Sequence, residues 1–182
     1  MVQKIGLIGS AGLGRSTFAA TISKEKKLYF LQSKDITRPI LKKYGYTYGQ
    51  ECVEKFLSKK NIEFELVSER IYEESLLSGG FITDRTTLEC FCYALLNTES
   101  YTDEDICLLE DMCKNNMSKY TKLFYFPYNT GWLEENGLRT TSKYFQWKID
   151  MMIRGIIQDW NIKAEQVPLH SEEILPFLRE SI

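Results

Sequence analysis

The chain has 182 residues, 43% hydrophobic and 26% charged, with a net charge of −2. That length suits a single domain, residues 1–182, whose core needs no disulfide or metal, because a domain this size buries ~70% of its unfolded surface. The slightly acidic balance argues against a generic nucleic-acid-coating protein, and no apolar run reaches the ~18–20 residues of a membrane span.

The first residues run straight into a short apolar stretch and then glycines, without a basic leader or cleavage site, so a cytoplasmic protein is expected. The five cysteines (Cys52, Cys90, Cys92, Cys107 and Cys113) contain no CxxC pair, and His170 is the single histidine. This inventory speaks against zinc, a disulfide framework and a histidine-activated nucleophile. It favours small buried thiols in a reducing compartment.

Lys4 to Ile8 reads as a short apolar strand ending in glycine, and Ser16 to Lys24 as a helix. Leu28 to Leu31 is a second strand, followed by a polar loop from Ser33 to Arg38 and a short helix opened by Pro39. Gly45 to Gly49 is a break, and Gln50 to Ser78 is largely helical with an interruption at Asn61 to Phe64. Gly79-Gly80 ends that helix before the strand Phe81 to Thr83. Thr87 to Leu96 reads as a buried helix, and Thr102 caps the next one by accepting from the amide of Asp105. Lys122 to Phe126 is a strand stopped by Pro127, and Tyr128 to Arg139 a polar loop. Ser142 to Trp160 has helical periodicity, Ala164 to Val167 is a last strand, and Ser171 caps a terminal helix. The alternation predicts an α/β three-layer sandwich, a mostly parallel sheet with helices on both faces. The helical segment from Gln50 to Ser78 reads as a substrate-side insertion and not as a second domain.

Gly9-Ser10-Ala11-Gly12-Leu13-Gly14-Arg15-Ser16 follows the first strand and opens the first helix. It fits the phosphate-binding loop G-x-x-x-x-G-K-[ST], with arginine in place of lysine. Glycines let successive N–H groups turn toward phosphate oxygens, and the helix adds its positive N-terminal end. The loop is therefore expected to bind the phosphates of a nucleotide. Ser16 offers a hydroxyl to Mg²⁺, and Arg15 the cation for the terminal phosphates. Arginine keeps the charge but is bulkier and planar, so the site has either adapted to it or kept binding and lost catalysis. A dinucleotide motif is disfavoured, since Leu31-Gln32-Ser33 stands where its acidic residue belongs. Asp84 follows the third strand, where such proteins hold Mg²⁺.

Thr83-Asp84-Arg85-Thr86-Thr87-Leu88-Glu89, with Tyr93 and Ala94, resembles the TDRS-LD-x-x-x-YA segment of P-loop nucleoside and nucleotide kinases. Leu123 to Pro127 resembles their V-F-Y-L-P strand, Glu135 to Arg139 their D-D/N-G-x-R segment, and Phe145 to Ile153 the helix after it. The chain is similar to small phage-type AAA-ATPase-like kinases, related to thymidylate kinase, deoxynucleoside kinase and nicotinamide riboside kinase. The resemblance implies a P-loop NTPase fold, with the loop from Gly9 to Thr17 binding ATP phosphates and Ser16 and Asp84 holding Mg²⁺. It implies an acceptor-side helical region at about 33–78 and a lid-like loop at about 128–141. It implies Arg85 on the acceptor or the transferring phosphate, Arg38 on the acceptor's phosphate, and Arg139 as a lid residue. Two departures stand out, Arg15 for lysine and Thr86 for serine.

Phosphoryl transfer needs in-line positioning and positive charge more than covalent chemistry. A nucleoside hydroxyl as acceptor calls for a nearby carboxylate, Asp84 or Asp35. A monophosphate calls for arginines, Arg38 and Arg85, and their presence leans the expectation toward a deoxynucleoside monophosphate. Aromatics at Tyr44, Tyr46, Tyr48, Phe56 and Phe64 are core packing first and base-stacking candidates second. The alternatives are a catalytically weakened ATP/GTP-binding module, and a kinase acting on a modified base in DNA, for which Lys42-Lys43 and Lys59-Lys60 are weak support. An NTPase transferring to water ranks last, because Pro127-Tyr128 offers no group to position the water. A homodimer stays open.

Overall fold

The computed structural model describes residues 2–46, 62–129 and 143–182. In chain order these form β1 (Lys4–Gly9), α1 (Arg15–Lys26), β2 (Tyr29–Leu31), α2 (Ser33–Lys43), α3 (Ile62–Leu76), β3 (Phe81–Thr83) and α4 (Thr87–Leu95). A 3₁₀ turn at Thr98–Ser100, α5 (Asp103–Met117), β4 (Lys122–Phe126), α6 (Lys143–Asp159), β5 (Glu165–Gln166) and α7 (Ser171–Ser181) follow. The five strands are all parallel, in the order β2-β3-β1-β4-β5.

Side-chain alternation along the strands divides the core. Ile5, Leu7, Ile82, Phe124 and Phe126 meet Ala19 and Ile22 of α1 and Ile174 and Leu178 of α7 on one face. Ile8, Phe81, Leu123 and Tyr125 meet α2 through α6 on the other. Both faces of the sheet are thus covered, as the βαβα order predicts.

β1 is central, and its neighbours β3 and β4 lead the chain in opposite directions. Such a reversal leaves a crevice at the carboxyl ends of the strands, where ligands of open α/β sheets bind. A glycine tightens this junction. A Cβ on Gly6 would lie 2.7 Å from Leu123 Cδ2 and 2.8 Å from Thr86 Cγ2. Its absence lets the start of α4 close onto β1, which carries the turn Asp84-Arg85-Thr86 to the loop after β1. Among the described residues, no helix is long and apolar enough to cross a membrane.

Three local expectations differ from what is observed. α2 begins at Ser33, with Pro39 inside it, where a loop was expected up to Arg38. The Ser33 amide is satisfied by Asp84 Oδ1 at 2.8 Å, a partner distant in sequence, and Ile36, Ile40 and Leu41 are buried along one side. That burial offsets the rung lost to proline. α3 is continuous from Ile62, so Glu63 and Phe64 belong to its first turn rather than to a break. His170, not Ser171, is the N-cap of α7, and no side chain caps that helix; Ser171 Oγ instead meets Glu172 at 3.3 Å. The caps at Thr86 and Thr102 are full capping boxes, with Glu89 and Asp105 reaching back. Of the described thiols Cys90, Cys92 and Cys113 are buried and Cys107 is exposed.

Candidate functional site

The loop between β1 and α1 lies at the carboxyl end of the central strand. Gly12 and Gly14 have φ values of 89° and 70°, left-handed backbone that glycine adopts without strain. Gly14 is the N-cap of α1, which leaves Ser16 and Thr17 exposed on the first turn while Leu13 is anchored in the core. Two loop amides already have side-chain partners. Gly9 N–H donates to Glu89 Oε1 at 3.3 Å, and Ala11 N–H donates to Gln146 Oε1 at 3.1 Å. Ser10 Oγ is buried with no hydrogen-bond partner.

Asp84 joins three elements. Its Oδ2 accepts from Ser16 Oγ on α1, and its Oδ1 accepts from the Ser33 amide that starts α2. A hydroxyl and a carboxylate in contact, beside a loop of amides, form a hard oxygen donor set. That set suits Mg²⁺, which uses few protein oxygens and leaves room for water and phosphate. Among the described residues no group of three or more His, Cys, Asp and Glu side chains is placed to hold a metal, so Ser16 and Asp84 are the metal candidates.

Arg15 does not extend over the loop. Its Nη1 donates to Leu7 O at 3.0 Å and to Glu89 Oε1, and its Nη2 donates to Ser10 O at 3.2 Å. The side chain is 7% exposed and Glu89 1%. Burial pushes the guanidinium pKa down, and the Glu89 carboxylate opposes that shift.

Arg85 is half-buried, with its guanidinium carbon 5.4 Å from the centre of the Tyr93 ring. Its carbonyl accepts from Arg70 Nη1 at 2.7 Å and from Thr83 Oγ1 at 2.9 Å, so the buried Arg70 of α3 braces the Asp84-Arg85 turn. Asp35 and Arg38 are exposed on α2. Tyr44 donates to Glu65 Oε2 at 2.8 Å, and Tyr46 and Phe64 pack against the core. Arg139, the lid-like stretch from 130, Tyr48, Phe56 and Lys59-Lys60 lie outside the described residues.

The structure therefore brings Ser16 and Asp84 together, and Arg85 follows Asp84 in the same turn. Three residues missed in the sequence also reach this region: Glu89, Gln146 and Arg70. Thr86 and Glu89 have legible capping-box spacing, but nothing local connects Glu89 to Gly9 or Arg15. Gln146 and Arg70 carry no sequence signal beyond being polar residues within helices.

A protein-family model described as an AAA domain matches residues 4–173, most of the chain. The chain belongs to this AAA-domain family. No curated protein matches this AAA-domain chain. Among solved structures it is similar to deoxyadenosine kinase from M. mycoides with bound dATP, at a TM-score of 0.67 and 16% identity over 98% of each chain. It is also similar to thymidylate kinase from Candida albicans, at 0.67 and 20% over 100% of this chain and 91% of that one. NadR protein in complex with NR aligns at 0.68 and 14%, over 94% of this chain and 46% of that one. These likenesses show that the chain has the P-loop NTPase fold of these proteins.

Proposed function

We propose that the protein is a Mg-ATP-dependent kinase of a nucleoside or nucleoside monophosphate, with a deoxynucleoside monophosphate as the favoured acceptor. The observation that carries this reading is the junction of Ser16 and Asp84 beside a loop with left-handed glycines, at the carboxyl ends of β1 and β3. Solved kinases of the same fold, a deoxyadenosine kinase and a thymidylate kinase, support the substrate class.

In this reading the loop of residues 9–17 receives the ATP phosphates, and a phosphate oxygen takes the Ala11 N–H in exchange for Gln146. Mg²⁺ held by Ser16 and Asp84 would neutralise charge on the phosphates. Arg85 and Arg38 hold the acceptor, and Arg139 adds charge from the lid. Both oxygens of Asp84 are engaged by Ser16 and Ser33, which leaves it poorly disposed to take a proton from a hydroxyl. A monophosphate acceptor, whose attacking oxygen is already anionic, needs no such base.

The inward setting of Arg15 favours one second reading, an ATP- or GTP-binding module with weakened transfer, because the loop cation is engaged by the protein itself. A transfer assay separates the two. With γ-labelled ATP, Mg²⁺ and a panel of nucleosides, monophosphates and modified DNA, label in a monophosphate is the expected result. Retention of all label in ATP, with ATP binding confirmed by calorimetry, supports the binding module.

A further inference from the structure

We propose that Glu89 is a positioning residue of the phosphate site. It holds Arg15 inside the loop, so that Arg15 serves the nucleotide by shaping the loop and not by touching phosphate. The proposal rests on reading residues 9–17 as a nucleotide-phosphate site.

The geometry of one carboxylate carries it. Oε1 accepts from Gly9 N–H at 3.3 Å and from Arg15 Nη1, while Oε2 accepts from Thr86 N–H at 2.9 Å and Thr86 Oγ1 at 2.6 Å. Glu89 thus ties the first residue of the loop, the loop cation and the turn carrying Asp84 to a single buried group. Arg15 completes the tie from the other side. Leu7 O precedes the loop and Ser10 O lies within it, and the guanidinium bonds both. Both hydrogens of Nη1 are engaged, by Leu7 O and Glu89. For that end of the guanidinium to reach a phosphate, a buried carboxylate would lose its cation and a buried carbonyl its donor, an unfavourable exchange. A lysine differs, because a single ammonium on a flexible stem cannot span the same three acceptors. It is the residue that the common motif aims at the phosphates.

Calorimetric binding of Mg-ATP to the full chain tests this. Glu89→Gln is expected to weaken binding by about tenfold or more, since it releases Arg15 and loosens the loop. Arg15→Lys in the Glu89→Gln background is expected to restore most of the lost affinity, because lysine reaches phosphate without Glu89. Unchanged binding by Glu89→Gln would show that Glu89 does not position the site, tighter binding that the released guanidinium reaches phosphate, and either overturns the proposal. Weakening that Arg15→Lys does not rescue would make Glu89 a fold residue only and overturn it too. A second measurement needs no folded variant at position 89. In the wild-type protein with ATP bound, the Arg15 guanidinium NMR signals are expected to stay protected from solvent and uncoupled to phosphorus. A through-hydrogen-bond coupling to phosphorus overturns the proposal. Failure of the wild type to bind ATP at all would instead remove the phosphate-site reading, and the proposal with it.

Discussion

At the residue scale, Asp84 and Arg15 occupy different positions in the chemistry although both belong to the loop region. Both are buried, but Asp84 is bonded to the exposed Ser16 hydroxyl and to the start of α2, while Arg15 is bonded to Glu89 and to the carbonyls of Leu7 and Ser10. Asp84→Ala removes the carboxylate from the metal set and is expected to lower transfer by about 10²–10³ or more, measured as kcat with γ-labelled ATP. Arg15→Ala is expected to lower it comparably, whereas Arg15→Lys retains or raises it. Unchanged turnover in Arg15→Ala would remove Arg15 from the site. On the acceptor side, Arg38→Ala is expected to raise the acceptor KM more than the ATP KM, and equal effects on both would take Arg38 out of the acceptor pocket.

At the element scale, helix starts carry much of the local specification. Thr102 opens α5 with a reciprocal box, so Thr102→Ala is expected to cost about 1 kcal/mol, or ~2–4 °C in Tm at this size. A larger penalty is expected where α4 starts. Gly6→Ala would drive a methyl into Thr86 and Leu123 and so lower Tm further, and it would also disturb the turn holding Asp84. The first turn of α3 contributes a pH dependence. Glu63 is buried, accepts from Tyr101 Oη, and has an Oε1 with no hydrogen-bond partner. Burial raises its pKa above the ordinary carboxylate range, and the Tyr101 bond opposes this more weakly. A raised folded pKa favours the protonated form. The Glu63 contribution is therefore complete below the unfolded pKa and is lost as pH rises through the folded one. Tm of the wild type is expected to fall relative to Glu63→Gln on going from acid to neutral pH. Parallel Tm-against-pH curves for the two proteins would contradict this.

For the whole molecule, the site is assembled from the ends of separate elements, so its ligand should stabilise the fold as a unit. Mg-ATP at a hundred times its Kd is expected to add ~2.7 kcal/mol by mass action. ATP with EDTA is expected to shift Tm less, since Ser16 and Asp84 act through the metal in this reading. Asp84→Asn should erase the difference between the two conditions, and an equal Mg²⁺ increment in that variant would argue against Asp84 as a metal ligand.

The sequence by itself determined the order of elements, the parallel sheet and the place of the glycine-containing loop after β1, because those depend on short-range patterns. β1, β3 and β4 are apolar runs bounded by glycine or proline, and a loop with glycines at Gly9, Gly12 and Gly14 followed by Ser16 has a backbone logic legible in eight residues. Asp84 was legible for the same reason, as an acid at a strand end. Contacts between residues far apart in sequence were decided only by the tertiary structure. The start of α2 depends on Asp84 meeting Ser33, 51 residues away, and a reading from proline alone placed that start at Pro39. The setting of Arg15 depends on Glu89, 74 residues away, and Ala11 meets Gln146 across 135 residues. A buried charge or amide takes whichever partner packing brings within reach, and no local period or motif encodes that choice.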